Sequence, residues 1–151
     1  METAWLFYVA LATGMRQGEL FGLRWEHIDF DKRFLSVCGT LVRERGQRAL
    51  RPPKGKRSRR IDLAEHDVEL LRSHRKGQLA KCASEWVFTN TQGKPLRKHN
   101  FLHRTWQPLT KAAGLQPLRF HDLRHTAATL SLAEGVPLKV VQERLGMLRL
   151  R

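Results

Sequence analysis

The chain has 151 residues, enough for one domain with a buried core, and 41% of them are apolar, as in ordinary globular proteins. Lys and Arg number 28 against 14 Asp and Glu, a net charge of +14 that says little about fold and points to a polyanionic partner, nucleic acid before membrane surface. The longest early apolar stretch, residues 4–15, is too short to cross a bilayer and follows Glu2 rather than a basic cluster, which argues against both a membrane span and a signal peptide.

In chain order, residues 3–13 are apolar nearly all round, as in a buried helix, and Gly14 is placed to end it. Residues 17–25 read as a second helix, with Leu20 and Leu23 on one face. Residues 34–40 read as a strand, a polar turn around Arg45 and Gln47 leads to a return strand, and residues 59–63 could add a third. Between the strands lies a basic run: Arg51, Lys54, Lys56, Arg57, Arg59 and Arg60. A helix follows Asp62, with Val68 and Leu71 spaced three apart, then a short strand at residues 86–89 and a turn at 90–93. Another helix is expected over about residues 100–113, closed by Gly114. In the last third, Asp122 is placed to cap a helix running to Glu134, with Leu123, Ala127 and Leu130 as its inward stripe. Gly135 stops it and Pro137 opens the next helix. The class is mainly α with a small antiparallel β-sheet, and no internal repeat or domain boundary interrupts the chain.

Three clusters carry chemistry. The first is Thr13-Gly14-Met15-Arg16-Gln17-Gly18-Glu19-Leu20, an arginine at a helix junction that can aim its planar fork at a phosphate, helped by nearby helix N-terminal amides; the alternative is a surface arginine paired with Glu19. The second is the run containing Lys54, Lys56, Arg57, Arg59 and Arg60. A lysine there can donate a proton to a departing oxygen, or the whole run can serve as a solvated DNA-contacting loop. The third is Phe120-His121-Asp122-Leu123-Arg124-His125, in which His121 and Arg124 share a helix face rotated away from the apolar stripe. A titratable ring beside a permanent cation suits the holding of a phosphate. Cys38 and Cys82 lack metal or redox spacing and fit a reducing cytoplasm.

Taken together, and with Gly135-Val136-Pro137 and the stretch Val141-Gln142-Glu143-Arg144-Leu145-Gly146, these clusters resemble the catalytic domain of the tyrosine recombinases of phage-integrase type, over about residues 10–146. The resemblance implies DNA integration or site-specific recombination by breaking and rejoining double-stranded DNA, without metal or small-molecule cofactor. It places Arg16 and Arg124 as the clamp on the scissile phosphate and His121 as hydrogen-bond donor and acid-base partner. Lys54 becomes the proton donor to the leaving 5′-oxygen, with Lys56 in its place if the register shifts by two. Lys56, Arg57, Arg59 and Arg60 are expected on DNA, and His125 packs behind the site. Arg16, His121 and Arg124 should therefore meet at one anion-sized pocket.

The pattern also departs from the family. Met147 follows Leu145-Gly146 where the family has histidine, and an attacking tyrosine is expected beyond this point; the sole tyrosine, Tyr8, lies in the apolar first segment and reads as core. The reading is thus a single, C-terminally truncated catalytic domain over residues 1–151, without the family's N-terminal DNA-clamping domain. It would be monomeric in isolation (the intact family is oligomeric on DNA), cytoplasmic and DNA-associated, and unable to cleave. Two other readings stay open: a DNA-binding remnant without catalysis, and a basic RNA-binding protein. The scatter of Trp5, Trp25, Trp86 and Trp106 argues mildly against a single-stranded RNA platform.

Overall fold

The computed structural model describes residues 2–52 and 58–147. Helix α1 (Glu2–Thr13) is buried along Leu6, Val9 and Ala10, and Trp5, Phe7 and Tyr8 pack against the same core. It is the axis of the fold, touching α2 (Gln17–Phe21), α3 (Glu65–Lys81) and α6 (Asp122–Ala133). Gly14 ends α1 in the left-handed region at φ +64°, the conformation a side chain resists. The second helix is shorter than the sequence suggests. After Phe21 the chain turns, buries Leu23, and makes a 3-10 turn at Trp25–His27.

Five strands form two sheets, where one was expected. In the first, β2 (Phe34–Val37) lies between β1 (Ile28–Asp29) and β5 (Arg59–Asp62), all antiparallel, with Leu35 opposite Ile61 and both fully buried. The second is a hairpin of β3 (Thr40–Glu44) and β4 (Gln47–Arg51). Its turn residues Arg45 and Gly46 both have positive φ, 47° and 82°, matching the twist of a two-residue hairpin. The run at 34–40 splits because the chain leaves the first sheet at Cys38-Gly39 and begins the hairpin at Thr40. Gly18 and Gly22 let that hairpin lie against α2: a Cβ on Gly18 would come 2.5 Å from Thr40 Cγ2, and one on Gly22 2.7 Å from Leu50 Cδ1.

The segment at 86–89 makes only isolated bridges, Arg24 to Trp86 and Thr89 to Pro95. The helix expected over 100–113 runs as α4 (Lys98–Phe101), a π-turn (Leu102–Trp106) and α5 (Gln107–Ala112). Pro108 lacks the N–H that would bond four residues back, and the wider turn precedes it. Phe7, Phe101, Trp106 and Phe120 pack with ring centroids 5.2 to 6.4 Å apart, joining this helix to α1.

Helix α6 keeps two residues of the expected inward stripe, Ala127 buried and Leu123 packed against the core, but not Leu130. Burial centres on Arg124 and Ala127, whereas Leu130 is 52% exposed. The stripe is rotated so that a cation points into the protein. Asp122 lies within the first turn instead of capping it, and its Oδ2 accepts the Arg119 backbone N–H at 2.8 Å. Helix α7 (Leu138–Leu145) follows Pro137 and ends at Gly146, φ +65°. Among the described residues, no helix is long and apolar enough to cross a membrane.

Candidate functional site

The segment from Thr13 to Leu20 is a joint in which almost every side chain is occupied. Thr13 is buried; its hydroxyl donates to the Val9 carbonyl at 2.6 Å and accepts the Met15 N–H at 3.3 Å, locking the exit from α1. Met15 and Leu20 fill the core on either side of Arg16, which precedes α2 in an extended conformation. The Arg16 backbone N–H donates to Glu19 Oε2 at 2.8 Å, and its Nη1 lies 3.3 Å from Glu19 Oε1. With its side chain 41% exposed, Arg16 remains open on its outer edge.

Glu19 is itself 3% exposed, and Arg59 grips it from β5 in a two-pronged pair, Nη1 to Oε1 at 2.9 Å and Nη2 to Oε2 at 2.7 Å. Burial would raise the Glu19 carboxyl, but the Arg59 hydrogen bonds and charge, with Arg16 added, outweigh it and hold the group below its usual range. Arg59 Nε donates to the Arg144 carbonyl at 2.8 Å, so the guanidinium ties β5 to α2 and α7. Sequence grouped Arg59 with the DNA-contacting run; the structure turns its fork inward. Arg60, next along the strand, faces out, donating to Asp62 at 2.7 Å and covering the Phe34 ring at 4.0 Å. Lys54, Lys56 and Arg57 lie outside the described residues.

Arg124 is 5% exposed and serves as a second tie. Its Nη1 donates to the Gly14 carbonyl at 2.7 Å and its Nη2 to the Leu145 carbonyl at 2.6 Å, joining the exit of α1 to the end of α7. Arg144 Nη2 donates to the Ala12 carbonyl at 2.6 Å, so two arginines satisfy carbonyls at the C-terminal end of α1. A guanidinium has five N–H donors, and these two bonds leave Arg124 with donors to spare. Burial first, then the Arg16 and Arg59 charges, bring Arg124 down to about 10, with Glu19 opposing. Arg16 and Arg59 thus both bear on Arg124, and the buried Glu19 carboxylate opposes them.

His121 sits at the head of α6, exposed, its ring 5.1 Å from that of His125 in an edge-to-face arrangement. Partial burial of the ring and the neighbouring His125, Arg124 and Arg119 push it below 6.5, against Asp122, so it is neutral at pH 7. A neutral imidazole can both donate and accept a hydrogen bond. The Arg16 charge bears on Arg124, and the Arg124 charge in turn bears on His121. Met147 is 44% exposed beyond Gly146. Tyr8 stands apart: its hydroxyl donates to Asp67 Oδ1 on α3 at 2.7 Å, and burial, then the Asp67 hydrogen bond and charge, push it up to about 12.

Sequence reading missed the roles of Glu19 and Arg144 as partners of distant segments. The inward turn of Arg59 had a local signal: it lies two residues from Ile61, which is buried on the same face of β5. Also missed was the grouping of Arg43 and Arg48 on the hairpin with Arg97 ahead of α4.

The family model described as "Phage integrase family" matches residues 1–150. A "Tyrosine recombinase XerC-like" protein of Caldanaerobacter subterraneus subsp. tengcongensis is 36% identical over 162 residues, covering 93% of this chain and 41% of that protein. The integrase of Salmonella phage P22 is 28% identical over 144 residues, covering 91% of this chain and 34% of its own length. The chain therefore spans less than half the length of these relatives. Among solved structures, the Tn1549 transposon integrase in complex with transposon right end DNA superposes with TM-score 0.82 at 21% identity, over 96% of this chain and 50% of that one. The XerA recombinase superposes with TM-score 0.71 at 26% identity, over 98% and 54%. On sequence over nearly its whole length, and on fold, the chain belongs to the phage integrase family and carries the catalytic-domain architecture of the tyrosine recombinases.

Proposed function

We propose that this chain binds duplex DNA and holds a backbone phosphate between Arg16, Arg124 and His121, as the phosphate-holding part of a site-specific DNA recombinase or integrase. The carrying observation is the surplus of charge at one joint: Arg59 and Arg16 both pair with the buried Glu19, and the charges of all three bear on Arg124. The single negative charge of Glu19, shared between the two-pronged Arg59 pair and the longer Arg16 contact, offsets one of the three cations and leaves two positive charges for an anion. In phosphoryl transfer, charge gathers on the non-bridging oxygens, and fixed cations stabilise it without reorganising. Arg124, held by two carbonyls, is such a fixed cation. His121, neutral at rest, supplies a hydrogen bond and can take or return a proton, and Lys54 would protonate the leaving 5′-oxygen. The names of the relatives, recombinases and integrases, agree with this reading, as does the DNA complex of the Tn1549 integrase.

These 151 residues hold the phosphate without cutting, because their sole tyrosine is committed elsewhere. Attack needs a phenolic oxygen in line at about 3 to 3.5 Å from phosphorus. The Tyr8 hydroxyl is bonded to Asp67, and nothing there lowers its pKa. The test is a nicked suicide duplex whose cleaved flank diffuses away and traps any protein–DNA link, run beside gel shifts on duplex DNA and structured RNA. Duplex binding with no covalent band is expected. A covalent band lost on Tyr8→Phe refutes the role given to Tyr8, and a preference for RNA refutes the DNA reading.

A further inference from the structure

Helix α4 and the wider turn after it present a pair of exposed imidazoles that the phosphate-holding joint does not use. His99 and His103 stand four residues apart, with ring centroids 4.3 Å apart and planes inclined at 55°. In a regular α-helix, residues four apart are offset by about 40° around the axis. The π-turn at Leu102–Trp106 winds less per residue and reduces that offset, bringing one ring over the other. The pair is also oriented. His103 Nδ1 lies 3.0 Å from Gln107 Oε1, and an amide oxygen can only accept, so Nδ1 carries the proton and the unshared pair of the neutral ring is on Nε2. A hydrogen bond from the far nitrogen is what fixes the ring of a metal-binding histidine. His99 makes no hydrogen bond or ion pair with a described residue, so nothing holds its ring away from the same point. Two imidazoles on one tetrahedral ion have centroids about 5 Å apart, a small opening of the present stack. A second pair on α6, His121 and His125, has centroids 5.1 Å apart but stands beside Arg124 and Arg119 within the phosphate site.

We infer that His99 and His103 chelate a divalent transition-metal ion of the copper, nickel and zinc class. Imidazole nitrogen suits these ions, whereas magnesium and calcium require oxygen ligands, and no Asp or Glu lines the two clefts that flank this helix. Among the described residues no third His, Cys, Asp or Glu joins the pair, so the protein supplies two bonds and the ion keeps its other positions for water or an outside donor. Arg97, Lys98 and Arg104, close by in the chain, oppose the charge of the ion, which keeps its affinity below that of a closed four-ligand site. An ion held here clamps the junction between α4 and the π-turn, from which Phe101 and Trp106 enter the core. The inference does not depend on DNA binding.

The experiment is isothermal titration calorimetry of the 151-residue chain, free of any polyhistidine tag, with copper(II), nickel(II), zinc(II) and magnesium chlorides. Saturable binding of the first three is expected, tightest for copper, with none for magnesium. His99→Gln and His103→Gln, both at exposed positions, should each abolish it. Gln107→Ala, which removes only the orienting hydrogen bond, should weaken it about tenfold or more. The double variant His121→Gln with His125→Gln should keep it. Nickel should also broaden the amide resonances of residues 98–107 before those of α6. Binding that survives both His99→Gln and His103→Gln, or is lost in the α6 variant instead, overturns the site. So does equal binding of magnesium, or no saturable binding by the parent chain.

Discussion

Removing the negative charge of Glu19 by Glu19→Gln should be among the most damaging single changes that leave side-chain volume intact. The carboxylate is 3% exposed and the Arg59 side chain 13%, so solvent screens the pair little. Breaking a buried ion pair by removing one partner costs about 3 to 5 kcal/mol, because the surviving charge stays in place unpaired. Here the survivors are Arg59 and, beside it, Arg16 and Arg124, whose mutual repulsion Glu19 offsets. Gln can still accept the Arg16 backbone bond, so the loss is chiefly one of charge. For a chain of this size the Tm should fall by roughly 6 to 20 °C. Thermal melts of Glu19→Gln, Arg59→Gln and the double variant form the assay. The double variant should be less damaged than the two single losses added together. The pH dependence has a definite sign. The folded-state pKa of Glu19 lies below its reference of 4.5, so its contribution is complete above that pH and is lost as the pH falls through the folded value. Glu19→Gln should therefore flatten the acid side of the stability profile. Additive losses, or single losses below about 1 kcal/mol, would refute the view that this pair holds the joint.

Three further outcomes follow from the same geometry. Tyr8, the sole tyrosine, should ionise near pH 12, read as tyrosinate absorbance while the far-ultraviolet circular dichroism stays native; ionisation near 10 would break its bond to Asp67 as described. Because its pKa is raised on folding, stability it contributes is complete below pH 10 and is lost as the pH rises toward 12. Gly14→Ala would place a methyl against Leu145 Cδ2 in a left-handed backbone, and overpacking with strain should cost at least about 2 kcal/mol in urea unfolding. Protonation of His121 should tighten duplex binding as the pH falls through a value below 6.5, and His121→Gln should remove that step.

Much of the architecture was legible because it rests on local rules. The apolar first segment, the left-handed stops at Gly14, Gly114 and Gly135, and the Arg45-Gly46 turn each encode their own geometry. The helical stripe of the last third was not legible in the same way. Leu123, Ala127 and Leu130 suit an inward face by composition, yet the inward position at 124 belongs to an arginine because two carbonyls from other segments need its donors. Residues 14 and 145 are distant in sequence, and no periodicity announces them. The basic run shows a similar limit: the charges of Arg59 and Arg60 look alike in sequence, and strand alternation sends one to Glu19 and the other to solvent. The clustering of Arg48 with Arg97 depends on the hairpin docking through Gly18 and Gly22, a tertiary event with no charge pattern of its own.

The way Arg124 is anchored changes what its presence in a sequence signifies. A residue that closes the junction between the exit of α1 and the end of α7 stabilises the folded chain, whether or not a phosphate ever reaches it. An element that has lost the capacity to cut DNA, but still gains from binding it, would keep this arginine under selection for stability alone. Arg16, with its outer edge open and its backbone supplying the local bond to Glu19, is under far less such pressure. Drift away from catalysis should therefore show first at position 16 and last at position 124, giving the two arginines different worth as signs of a living enzyme.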